Sequence, residues 1–216
     1  MFGLFTLLFA FTMSYGQATE AVKSMSQGNQ NSFSINLPNC DKKDVEKSWG
    51  KYLKKHKCKT DKVKKTDEFR SDNAKIEAMS DNTVDVFARV NQEGTDAQLT
   101  VWYDLGGAYL SSESHPEKVT VANAMLDDFA LSMAVANVQE ELKSEEKTMK
   151  KMGGDFKGLE KDKKKLEDDI VKFEKKIEEA KAAIVANEAA QEAMKESMKN
   201  QEGVIEGVKT KLKNMN

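Results

Sequence analysis

Four side chains in this sequence carry the chemistry of a metal site or a crosslink: Cys40, His56, Cys58 and His115, which are all the cysteines and histidines it has. Zinc ligands normally come as close pairs, such as C-x2-C with H-x3-H, so that the donors converge on one ion. Only His56-Lys57-Cys58 is close here, and the helical period between Cys40 and Cys58 holds the thiols apart. That stretch of helix would separate their Cα atoms by roughly 27 Å, against the ~6 Å a disulfide needs. The spacing therefore predicts no metal and no intrachain bridge, leaving the thiols free or paired between chains. A bridge would require the helix to break near Gly50.

Catalytic signatures are missing. There is no G-x-S-x-G elbow, no glycine-rich phosphate loop with its lysine, no H-E-x-x-H, and no cysteine with a histidine partner. The expectation is a non-enzymatic protein with no cofactor. Two surface candidates remain. Lys51, Lys54, Lys55 and Lys57, continued by Lys59, Lys62, Lys64 and Lys65, form a basic cluster that could contact an anionic envelope polymer or lipid headgroups. The same lysines also suit a solvated helix end. Trp102, Tyr103 and Tyr109 flank Gly106-Gly107, where aromatics and a permissive backbone could make a ligand-facing edge; the alternative is a glycine turn with the aromatics packed on the two sheet faces.

The elements that would position these groups follow from hydrophobic period. Phe33, Ile35 and Leu37 alternate as a strand, and Val45, Trp49, Tyr52, Leu53 and His56 fall on one side of a helix that Asn39 or Asp41 can cap. Further alternation appears at Ala74, Ile76 and Ala78, at Val84 to Val90, and at Leu99 to Leu105, the last two joined by a polar loop containing Gly94. A short strand is expected over 108–112. Ser114 and Glu117 have capping-box spacing ahead of a helix whose wide apolar stripe includes Val121, Ala122, Met125, Leu126, Phe129, Met133 and Ala136. The order β-α-β-β-β-(β)-α predicts an α+β fold: a small antiparallel sheet with two helices on one face, the last helix extending into a coiled-coil tail. The expected domains are a signal peptide at 1–16, a flexible polar leader at 17–31, an α+β head at 32–142 and a helical tail at 143–216.

From Met149 to Met215 a heptad repeat runs without a skip, and sixteen of its twenty inner positions are apolar. The principal seam residues are Phe156, Leu159, Leu166, Ile170, Phe173, Ile177, Ile184, Met194, Met198, Ile205, Val208 and Leu212; Lys163, Asn187, Gln191 and Gln201 interrupt them. A narrow apolar stripe calls for a partner helix. Gly153-Gly154, followed by Gly158, is a soft joint at 153–158 where a hairpin could turn, although the unbroken repeat favours one continuous helix. In a parallel, in-register homodimer the flanking pairs would be Asp155/Glu160, Asp162/Glu167, Asp169/Glu174 and Lys176/Lys181, all of like sign. The expected partner is therefore an intrachain hairpin, an antiparallel copy or a heterologous coiled coil.

The formal net charge of −2 argues against a chain that generally binds nucleic acid. Met1 to Tyr15 is almost wholly apolar, and Ser14-Tyr15-Gly16 supplies a small-x-small cleavage pattern before Gln17, so a secretory signal is expected although no Lys or Arg precedes the apolar run. As an uncleaved anchor this segment would reach only ~22 Å, short of a ~30 Å hydrocarbon core. No later stretch reads as a membrane span. The expected location is secreted or periplasmic, soluble or peripherally attached to the envelope.

At SFSINLPN, DVEKSWGKYLKKHK, KTDEFRSDN and LTVWYDLGGAYLSSESHPEK the chain resembles a group of uncharacterised secreted proteins of Bacteroidota-type bacteria. That resemblance implies a cell-envelope location and no activity, and it transfers no site residues.

Overall fold

A computed structural model describes residues 17–214, so the expected signal peptide lies outside the described residues. The elements are β1 (Thr19–Met25), β2 (Gly28–Leu37), α1 (Lys42–Leu53), β3 (Lys59–Lys62), β4 (Glu68–Ala74), β5 (Val84–Glu93), β6 (Asp96–Asp104) and α2 (Pro116–Lys213), with a 3-10 turn at Lys54–His56. The chain divides between Glu145 and Glu146 into two compact units.

The first unit is α+β. Its six strands form one antiparallel sheet in the order β1-β2-β6-β5-β4-β3. Side chains alternate across a sheet, so Phe33, Ile35 and Leu37, with Val86, Ala88, Val90, Leu99, Val101 and Tyr103, share one face. Helices α1 and α2 bury their stripes on it: Trp49 of α1 meets Phe129 of α2 edge-on at 4.9 Å, and Tyr52 lies 5.4 Å from the same ring. Asp41 caps α1 by accepting from the Lys43 N–H at 2.8 Å. The start of α2 is closed by Ser111, whose Oγ accepts from the Ser114 N–H (3.2 Å) and whose carbonyl accepts from the His115 N–H (2.8 Å), in place of a reciprocal Ser114–Glu117 box.

Residues 17–31 are not a flexible leader. Most of them build β1 and the first half of β2, joined by a two-residue turn that Gly28 closes with φ +94°. The hairpin bends over the sheet face that the helices leave open. Lys23 Nζ donates to Ser34 Oγ (2.9 Å) and Gln98 Oε1 (3.1 Å), while the Ser26 N–H reaches Glu68 on β4. Met25 packs there with Phe87 and Trp102 in a second small core. This covered face is built largely of Ser32, Ser34, Thr100 and Glu68, all buried and hydrogen-bonded, so apolar alternation does not mark the hairpin in the sequence.

Three further expectations change. Only Ala74 of the 74–78 alternation is in a strand, because β4 begins at Glu68; Ile76 and Met79 are buried from the following turn. The lysine-rich connection contains the edge strand β3, whose charged residues suit an unpaired edge. The expected strand at 108–112 reduces to a single bridge between Asp104 and Tyr109. The order is thus β-β-α-β-β-β-β-α.

The second unit is helical. Gly153, Gly154 and Gly158 all sit within the helical backbone of α2, so no hairpin turn occurs there. One 18-residue window of α2 reaches a mean hydropathy of 1.3, long and apolar enough by composition to cross a membrane. In the first unit, however, α2 buries Ala122, Met125, Leu126, Phe129, Ala130 and Met133 in the protein core.

Candidate interaction surface

The lysines lie at the end of α1 and in the turn that follows. Lys51, Lys54, Lys55 and Lys57 are all exposed. Lys55 is not a free cation: its Nζ donates to Asp128 Oδ2 at 3.1 Å and sits 3.6 Å from the centre of the Tyr52 ring. Tyr52 Oη donates to the same Asp128 oxygen at 2.9 Å. Hydrogen bonds from Lys55 and Tyr52 hold the Asp128 carboxyl below its usual range. Lys57 has left-handed φ (+60°) and ends the 3-10 turn, and Lys59 pairs with Asp61 at 2.9 Å.

Trp102 and Tyr103 are fully buried and cannot form a ligand-facing edge. Tyr103 enters the main core 6.1 Å from Phe33. Trp102 points to the opposite face, beneath Met25, with the Arg89 guanidinium 5.4 Å from its ring centre. Tyr109 is half-buried beside that second core, and burial first, then the nearby carboxylates, push its hydroxyl up to about 12. Gly106, at φ +90°, makes a turn: its N–H donates to Asp104 Oδ1 at 2.9 Å, and the Leu105 N–H donates to the Ala108 carbonyl at 3.0 Å. A shallow hollow of ≈ 480 Å³ beside Cys40 is lined by Asn39, Asp41, Gln92, Gly94 and Thr95.

Both thiols are free. Cys40 is buried, donates to the Pro38 carbonyl at 3.4 Å and receives the Asn137 amide at 3.4 Å; Cys58 donates to the Leu53 carbonyl at 3.2 Å. Burial pushes both thiols up, which makes them poor nucleophiles at neutral pH. His56 Nδ1 is 3.1 Å from the Lys75 carbonyl. Among the described residues, no three of His, Cys, Asp and Glu are gathered as metal ligands.

The heptad seam is the large apolar surface of the second unit. Phe156 (61%), Leu166 (64%), Phe173 (60%) and Leu212 (64%) are mostly exposed, and so are Leu159, Ile170, Ile177, Ile184, Met194, Met198 and Val208, with Ile205 exposed to nearly half. Single exposed leucines are ordinary on proteins, but a contiguous apolar row marks an interaction surface. Compared with family models, characterised proteins and solved structures, the chain matches none.

Among the described residues, flanking charges pair along the helix. Asp162 pairs with Lys165, Asp169 with Lys172 and Glu178 with Lys181, all on exposed side chains. Such pairs contribute about 0.2–0.5 kcal/mol each, so they can exchange for contacts across an interface. Leu131, Val135, Val138 and Leu142 are exposed too, at four- and three-residue steps continuous with the heptad count that reaches Met149. The wider sheet-facing stripe of the same helix segment hides this second row when the sequence is read by period alone.

Proposed function

We propose that this protein is a non-enzymatic, secreted or periplasmic interaction protein that assembles through the helical seam of α2 with a partner helix. One observation carries the proposal: the apolar positions of a 3.5-residue repeat are left in water along the second unit. Covering them removes apolar surface from water at about 25 cal/mol per Å², and a second helix is the shape that fits a stripe this narrow. The apolar run before Gln17 supports the location. The basic cluster supports an anionic-surface role less well, since Lys55 and Lys59 are already paired within the chain.

The test is a photocrosslinking amino acid placed in the full chain at Phe173, on the seam, or at Lys172, off it. The expected result in cells is a polypeptide adduct of defined mass from position 173 and none from 172. No adduct from 173 would overturn the proposal.

A further inference from the structure

We propose that the seam of α2 is covered by a second copy of this chain running antiparallel, an inference that rests on the assembly function above and names its partner. The continuous helix through Gly153 and Gly154 places no hairpin turn at the glycines. A partner from outside that segment is needed, and the charge pattern selects its direction.

The six charged positions that flank the seam from Asp155 to Glu174 are all acidic, whereas five of the seven from Lys176 to Lys211 are lysine. A parallel copy sets acid beside acid over the first half. An antiparallel copy with its axis at Ala182 instead sets residues 155–174 against 190–209, whose flanking charges are Lys195, Glu202 and Lys209, so that lysines replace acids at two of the three charged positions opposite. A second copy carries the complementary stretch automatically, which a foreign helix would have to match independently.

Seam contents agree with that direction. When the repeat from 149 to 215 overlaps fully with an inverted copy, the two-fold axis passes at Ala182. Phe156 then faces Val208, Ile170 faces Met194, Leu159 faces Ile205, and Lys163 meets Gln201 rather than an apolar side chain. Asn187 and Gln191 enter opposite Ile177 and Phe173, but Gln191 Nε2 already donates to Asn187 Oδ1 at 2.6 Å, so both amides arrive partly satisfied. Ala180 and Ala183 beside the axis allow close approach of the helices.

The test is sedimentation of the purified full chain together with pulsed electron spin measurements on single labels at Asp168, Lys175, Ala182, Ala189 and Glu196. These sites lie on the outer side of the repeat, and ketone-reactive labels leave Cys40 and Cys58 untouched. A dimer mass is expected, with one intermolecular distance per site and a minimum between Lys175 and Ala189. For an axis at Ala182, each residue away from it adds about 3 Å of axial separation, twice the helical rise, reaching about 42 Å at Asp168 and Glu196. An equal short distance at every site, as in a parallel dimer, would overturn the proposal, as would a minimum outside that range. A monomer with no intermolecular distance overturns the second copy as well. The Phe173 crosslink then separates the cases: an adduct to a different polypeptide leaves assembly through the seam standing, and its absence removes both.

Discussion

The backbone N–H of Ser26, at the tip of the β1–β2 hairpin, donates to both carboxylate oxygens of Glu68 on β4, at 3.0 and 3.1 Å. Glu68 is buried, and Arg89 Nη2 donates to its Oε1 at 2.6 Å while the guanidinium lies over Trp102. One carboxylate thus links the hairpin, strands β4 and β5, and the second small core. Glu68→Ala leaves Arg89 and the Ser26 N–H without their acceptor, and is expected to cost about 2–3 kcal/mol in urea unfolding. A loss below about 0.5 kcal/mol, the range of neutral surface changes, would contradict this role.

Deleting residues 17–31 should damage the first unit, because β1 and the start of β2 go with them and Trp102 and Phe87 lose Met25. A fall in Tm of about 10 °C or more is expected by calorimetry, with tryptophan emission shifted to the red. A flexible leader could be removed with no change in either.

Asp85 gives the first unit an acid-sensitive contact. Burial raises its carboxyl, but the Asn73 N–H (2.8 Å) and the Arg70 guanidinium outweigh that and hold it below its ordinary value. A depressed folded value means a contribution that is complete above the unfolded carboxylate range, near pH 4, and is lost as pH falls through the folded one. Asp85→Asn should therefore narrow the gap from wild type between pH 6 and pH 3 in denaturant midpoints. An equal gap at both pH values would rule the contact out as a source of acid sensitivity.

Gly153 and Gly154 are helical, and a Cβ added at either meets nothing within 4 Å. Changing each to alanine should stabilise the helix by about 0.5–1 kcal/mol, read as increased ellipticity at 222 nm and a higher melting temperature for the second unit. A loss of ellipticity would indicate the left-handed backbone of a turn.

Local pattern made α1, β5, β6 and the core-facing stripe of α2 legible, because Trp49, Val86, Leu99 and Phe129 recur at the periods their elements require. The β1–β2 hairpin was hidden for the opposite reason: Lys23 and Ser34 are satisfied by each other and by Gln98 and Thr100 far along the chain, and Ser32 donates to the Ala21 carbonyl across the hairpin. Of the two readings of the aromatic trio, the packed one holds for Trp102 and Tyr103, on either side of the sheet before the Gly106 turn. Trp102 and Tyr103 look available in sequence, yet adjacent strand residues point to opposite faces, and here both faces are covered.

By itself, the sequence determined that this chain contains an α+β unit and a long helix with apolar residues at heptad spacing, since both depend on periodicity along the backbone. Only the tertiary structure decided that residues from Thr19 onward are structural and that Lys55 is held by Asp128. Those outcomes depend on which distant groups meet and remove one another from water, and no local period encodes that.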